Sequence, residues 1–167
     1  MKRRDCFWAV ASVLNYAVVP MAANAAQSSM DKKAPDFSTL DANGQNRTLE
    51  EFKGKVVVLE WTSPSCPFVR AQYASGKMQE LQSWAKAAGV VWLSVLSTNP
   101  ARGDYLKPQQ GQAFMQARKS HSTALLMDPS GQLGHAYGAR NTPHMFVVNE
   151  VGVMVYAGAI DTQPTVD

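Results

Sequence analysis

Five apolar runs, each closed by turn residues, punctuate the chain: Val56–Trp61, Val90–Leu96, Thr123–Met127, Met145–Asn149 and Val153–Tyr156. Short apolar runs rich in β-branched residues and bounded by Gly, Pro, Asn or Asp predict strands. Runs that are apolar almost throughout suit central strands covered on both faces. Between the first two runs, Tyr73, Met78, Leu81, Trp84 and Ala88 recur at mostly three- and four-residue steps. That spacing predicts a helix from Pro67 to about Ala88 with those residues as its apolar face. Gly76 in its middle costs about 1 kcal/mol against alanine, which favours a kink or break there, and Gly89 is the expected stop. Pro108 opens a second helix to roughly His121 after the polar loop that begins at Ser97. Asp128–Gly131 is a turn, and Gln132–Tyr137 gives one or two helical turns. Upstream, Phe37–Leu40 reads as a short strand and Asp41–Gln45 as a turn. Thr48 with Glu51 forms a capping box for one helical turn, Leu49–Phe52.

The order β-α-β-α-β, short helix, β-β predicts an α/β architecture. Its strands are parallel with helices on both faces, and a closing hairpin around Glu150–Gly152 adds antiparallel pairing. The last strand has an apolar side that wants a covering helix, whereas the chain continues into the polar stretch Asp161–Asp167. The expectation is therefore a central mixed sheet flanked by helices, with a C-terminal helix missing. The expectation is that the sequence is cut short, or that the domain is completed by another chain or a homo-oligomer, because a few hundred square ångströms of apolar surface are enough to drive association.

With 167 residues, 46% of them hydrophobic, the chain is long enough for one domain with a substantial core. Its first segment has a different character. Lys2, Arg3 and Arg4 precede an apolar stretch from Phe7 to Val19 and then the small residues MAANAA. This order predicts a secretory signal peptide, Met1–Ala25, and a periplasmic or secreted mature protein. The apolar stretch is shorter than the roughly 20 residues that span a bilayer, so no stable membrane insertion is expected. Residues 26–33 read as a flexible leader, and 34–167 as the domain. Removing Met1–Ala25 takes away three basic residues and one acidic residue, which lowers the formal charge from +3 to +1. The basic balance thus says little about partners, and no basic-aromatic stripe points to nucleic acid.

Cys6 leaves with the signal, so the mature chain keeps Cys66 alone. A lone cysteine in an exported protein cannot form an internal disulfide; it is a reactive or an intermolecular thiol. Its setting decides in favour of reactivity over a small core hydrophobe. Val56–Trp61 predicts a buried strand, Ser63-Pro64-Ser65 a turn, and Pro67 suits the first turn of a helix. Cys66 then lies at a helix N-terminus, where unpaired N–H groups and the helix dipole favour a thiolate.

Taken with this strand–loop–helix setting, five blocks make the chain resemble the thioredoxin superfamily: APDFSTLDANGQ, EFKGKVVVLEWTSPSCPF, VVWLSVL, MDPSGQLGHAYGARNTPHMFVVNEVG and VYAGAID. The nearest branch is similar to the peroxiredoxin-like, redoxin-domain proteins of the alkyl hydroperoxide reductase / thiol-specific antioxidant group, and the resemblance spans about Ala34–Ile160. It implies a thioredoxin-like fold, with Cys66 as nucleophile and Thr142-Pro143 as a cis-proline loop against the sulfur. It also implies a thiol peroxidase or thiol-disulfide oxidoreductase acting on a peroxide or disulfide, with an external thiol as reductant and no cofactor. Val69 stands where a Cys-x-x-Cys motif has its second cysteine, so dithiol exchange within one chain is excluded. Where peroxiredoxins have proline and threonine before their cysteine, this chain has Leu59 and Ser63, and the serine can supply the hydroxyl.

Arg70, one helical turn from Cys66, and Arg140, just before Thr142, are candidates to support a thiolate; each could equally be a solvated surface arginine. His144 is a candidate base or simply a strand-edge residue. Glu60 is a candidate proton relay or a solvent-facing strand residue. Trp61 and Pro67 are expected to wall the groove, and His121 and His135 to lie on the surface. No soft two-sulfur metal site is present, because Arg70 occupies the position that a second cysteine would need. A binding module without catalysis, using the groove beside Pro143, is the reading from another class.

Overall fold

The computed structural model describes residues 30–161. The expected signal peptide, the first half of the leader and the last six residues lie outside them. Five strands make the central sheet: β3 (Val57–Trp61), β4 (Val91–Leu96), β5 (Ala124–Met127), β6 (His144–Val148) and β7 (Met154–Gly158). A separate small hairpin pairs β1 (Ser38–Leu40) with β2 (Asn46–Thr48). The sheet order is β5-β4-β3-β6-β7. β3 runs parallel to β4, and β4 to β5, while β6 and β7 add antiparallel to the other side. The expected mixed α/β sheet of thioredoxin-like order is present.

β3, the central strand, is buried along its whole length, as is β4 beside it. Each presents apolar residues to two helical layers. On one face Leu59, Leu93, Leu126, Phe146 and Val148 pack under Leu133 and Tyr137 of α4 (Gln132–Tyr137) and against Leu49 and Phe52 of a short 3-10 turn. On the other, Val58, Trp92 and Met145 pack under Val69 and Tyr73 of α1 (Pro67–Ala74) and Met78 and Ala85 of α2 (Lys77–Ala87). A third cluster joins Ala42, Leu96, Leu125 and Met127 next to α3 (Pro108–Ala117).

The long helix expected after Cys66 is two helices. Gly76 has φ +81°, a left-handed conformation that side chains disfavour, and the chain breaks there. The break resets the helical phase. In α2 the buried residues are Met78, Gln82 and Ala85, whereas Leu81 and Trp84, expected on the apolar face, are exposed, with Trp84 66% accessible. Ala88 is exposed as well. The capping box is half formed: the Glu51 amide donates to Thr48 Oγ1 at 3.2 Å, but the Glu51 carboxylate turns to Arg47 at 2.6 Å. α3 ends at Ala117, short of the expected His121. The hairpin is as expected, with Asn149 donating to the Val153 carbonyl across the turn at Gly152.

Candidate functional site

Cys66 occupies the N-cap of α1 in an extended conformation, φ −73° and ψ 120°, with Pro67 as the first helical residue. β3 delivers the chain to this point, and Ser63-Pro64-Ser65 turn it from the sheet into the helix. The sulfur is half-buried, packed at the edge of the cluster that holds Val69 and Tyr73. Beside it, Pro67 and Phe68 are exposed and form an apolar rim. Across the cleft the Thr142–Pro143 peptide is cis, and the Cys66 Sγ–H donates to the Thr142 carbonyl at 2.9 Å.

The structure brings Cys66, Thr142, Pro143 and Arg70 together. Arg70 begins the intrahelical ladder by donating its amide to the Cys66 carbonyl, and its Nη1 donates to the Ser65 carbonyl at 3.1 Å. Its guanidinium, though exposed, is thereby tied to the active turn. Three other candidates sit elsewhere. Ser63 Oγ is 3.0 Å from Ser65 Oγ, and Ser65 donates onward to Asp104 Oδ2 at 2.6 Å. That hydroxyl thus anchors the loop after β4 to the cysteine turn. The Ser65 hydroxyl is the main reason the Asp104 carboxyl lies below the ordinary carboxylate range.

Arg140 is exposed and lines a cavity of about 500 Å³ with Trp61, Ser63, Arg102, His135 and Thr142. This cavity adjoins the cysteine cleft at Thr142 but lies on the α4 side of the sheet. Trp61 forms its floor; the indole N–H donates to Ser97 Oγ at 3.0 Å and the ring meets Phe146 edge-on at 5.0 Å. His144 shares that face. It stacks on Phe146 at 4.5 Å, and its Nδ1 accepts the Arg140 amide at 3.3 Å. Burial, and then the Arg140 charge, push its pKa below the ordinary histidine value. His144 thus begins β6 on the face that carries Phe146.

Glu60 is not solvent-facing. It is fully buried one residue before Trp61, on the face of Cys66. Its carboxyl accepts from Trp92 Nε1 at 2.8 Å, Tyr73 OH at 3.1 Å, Ser94 Oγ at 3.2 Å and Gln82 Nε2 at 3.3 Å. Burial pushes its pKa up, and those four donors only partly oppose it. The sequence reading missed Arg118, just past α3. Its guanidinium lies 3.8 Å from the Phe114 ring centre and 5.0 Å from that of Tyr73, close enough to the cleft to interact electrostatically with Arg70 and Cys66. No local motif announces it, because only the packing of α3 beside α1 brings it there.

The profile of the Redoxin family matches residues 29–167. The chain belongs to the Redoxin family. It is similar to a thiol:disulfide interchange protein DsbE from Allochromatium vinosum, 28% identical over 140 residues that make up 80% of this chain and 70% of the relative. Among solved structures it is similar to an uncharacterized conserved protein from Geobacillus kaustophilus, with TM-score 0.73 and 21% identity over 80% of this chain and 70% of that one. It is also similar to the thioredoxin domain of a thiol-disulfide oxidoreductase from Bacteroides vulgatus, with TM-score 0.61 and 21% identity over 77% and 86% of the two chains. The redoxin and thioredoxin-like resemblance of the sequence thus holds at the level of family and fold.

Proposed function

We propose that this Redoxin-family protein is a monothiol thiol-disulfide oxidoreductase in which Cys66 is the reacting group. The observation that carries the reading is the pairing of Cys66 at the first turn of α1 with the Thr142 carbonyl of the cis-proline loop, 2.9 Å away. A disulfide laid along that loop has its sulfur beside Cys66. The thiolate attacks it in line, a mixed disulfide forms, and the leaving thiolate departs into solvent. The helix N-terminus and Arg70 stabilise negative charge on the sulfur in the attack and again when a second thiol releases it. Pro67 and Phe68 offer apolar contact to the substrate chain. With Val69 in place of a second cysteine, an external thiol completes the cycle. The relative's name, thiol:disulfide interchange protein, supports the same chemistry. The setting is periplasmic or secreted, on the strength of the basic, apolar and small-residue order of Met1–Ala25.

Peroxide reduction at the same sulfur, giving a sulfenic acid, is the second reading, and Arg70 beside the active turn favours it. Ser63 and Arg140, which would have served it, face Ser65 and the neighbouring cavity instead. The test exposes reduced protein separately to a small neutral disulfide and to hydrogen peroxide, and follows Cys66 by peptide mass. The expected result is mixed-disulfide formation at least about tenfold faster than with a blocked free cysteine, lost in Cys66→Ser, with peroxide no faster than that free thiol. Rapid sulfenic acid with ordinary disulfide rates would replace this reading by the peroxidase one. Free-thiol rates for both would leave a non-catalytic binding module.

A further inference from the structure

A groove of about 760 Å³, separate from the Trp61 cavity, runs from Pro64 and Arg70, which flank Cys66 along the chain, past Tyr73 to Phe114, Arg118 and Lys119. Its size suits a small ligand. Arg70, Arg118 and Lys119 contribute three permanent positive charges to its lining, His121 adds an imidazole, and no acidic residue lines it. Among the described residues, no carboxylate lies within ion-pair distance of these three cations, whereas Lys33, Lys53 and Arg102 each have one and Arg47 has two. Arg118 is the unusual member. Phe114 and Tyr73 hold its guanidinium, and its Nη1 is buried with no hydrogen-bond partner. Burial lowers its pKa and the Arg70 charge adds to that, while Tyr73, Glu60 and Cys66 act the other way without outweighing it. Two guanidiniums that repel each other, one of them with a buried nitrogen that has no hydrogen-bond partner, are an arrangement that a bound anion relieves.

Resting on the exchange reading above, we infer that this cationic groove selects the exchange partner of Cys66 as a small thiol carrying carboxylates, taken up as its disulfide. The ring-held Arg118 receives one carboxylate, and Lys119 the field of another, while the partner's sulfur reaches Cys66 at the groove's Pro64 end. The Cys66 thiolate attacks one sulfur of the disulfide. The Cys66–partner S–S bond forms, the partner's own S–S bond breaks, and one carboxylated thiolate leaves. The thiolate of a second, different external thiol then attacks the bound partner sulfur; the mixed disulfide of the two thiols leaves, and the Cys66 thiolate is restored. No further oxidant or reductant is needed.

The test uses the reduced full chain and three disulfides of similar size: dithiodipropionate (anionic), bis(2-hydroxyethyl) disulfide (neutral) and cystamine (cationic). The rate of mixed-disulfide formation at Cys66 is read by peptide mass and divided by the rate of a blocked free cysteine with the same reagent. The expected order is anionic, then neutral, then cationic, with an anionic-to-neutral ratio of about tenfold or more at low salt that shrinks as salt is raised. Arg118→Gln lowers that ratio. Lys119→Asn, which removes a charge at a position with φ +52° that asparagine tolerates, lowers it without touching the packed rings. Equal normalised rates for anionic and neutral disulfides overturn the inference and leave the exchange reading standing. A preference that neither variant moves places it elsewhere and overturns the assignment to this groove. Free-thiol rates with all three reagents sink the exchange reading, and the inference with it.

Discussion

Glu60 gathers the polar chemistry of the interior onto one carboxyl. Four neutral donors bond it and no cation does; hydrogen bonds compensate its burial, and the Arg118 charge acts on it only from farther off. Burial raises its pKa, which means that the folded protein holds this proton to higher pH than the unfolded chain does. The stability gained from the protonated form is fully present below the ordinary value of 4.5 and is lost as pH rises through the folded value. Relative to Glu60→Gln, the wild type is therefore expected to lose stability as pH is raised above 4.5, by up to about 1.4 kcal/mol per pH unit until the folded-state carboxyl itself ionises. Urea midpoints across that range check it, and a pH-independent difference between the two proteins would contradict it. The sequence marked Glu60 as relay or surface without deciding. The deciding partners, Trp92, Ser94 and Gln82, arrive from β4 and α2, and no local spacing reveals them. Cys66 and Arg70 were legible because a helix start and one helical turn are local facts. Ser63 bonds its close neighbour Ser65, whereas the contacts of Arg140 with the Trp61 cavity and of His144 with Phe146 are set by tertiary packing that local spacing does not reveal.

At the scale of elements, the break at Gly76 shows what periodicity carries and what it loses. The positions of the strands follow from their apolar runs, and the glycine in the first helix was a visible breaker. The helical phase beyond the break was not visible, since a single residue with φ +81° rotates all that follows. Met78, Gln82 and Ala85 thereby face the sheet, and Gln82 joins the Glu60 network while its Oε1 accepts the His121 amide at 2.8 Å. Met78→Ala is accordingly expected to cost about 2–5 kcal/mol, as for other fully buried large side chains. Trp84→Ser, on the exposed face, should stay within about 0.5 kcal/mol of the wild type. Thermal melts of both variants test the phase; a Trp84 variant as damaged as the Met78 one would restore the unbroken helix. β2 escaped the sequence reading for a different reason. Asn46-Arg47-Thr48 is three polar residues long, and only its pairing with β1 makes it a strand.

Across the whole molecule, the N-terminal part of the domain ties both edges of the sheet. Lys33 pairs with Val153 beside β7, and the Ala34 amide donates to the Gly152 carbonyl at 2.9 Å. Farther on, the Ala42 amide donates to the Leu125 carbonyl at 2.8 Å and Thr39 Oγ1 to that of Met127 at 2.6 Å, which covers β5. Unpaired sheet edges invite pairing with other chains, so this strap shields the fold as well as stabilising it. Its turn depends on Asp41, a residue with no exposed surface. Burial alone would raise the Asp41 pKa; the amides of Gln45 and Asn43 and the Arg47 guanidinium outweigh it and hold the carboxyl below its ordinary value of 3.8. A depressed carboxyl stabilises the fold above that value and loses the contribution as pH falls through the folded one. Asp41→Asn keeps the shape and removes the charge, so it is expected to cost about 1–3 kcal/mol at neutral pH by leaving Arg47 without its buried partner. The deficit should narrow as pH drops below 3.8, where the wild type surrenders the same charge. Denaturant midpoints of both proteins from neutral pH down to about 2.5, where paired carboxylates have taken up their protons, read the result. A deficit that stays constant over that range would mean that Asp41 holds the strap by geometry and not by charge. Light scattering adds the second half of the argument: if the strap covers β5, the variant should associate at neutral pH where the wild type does not.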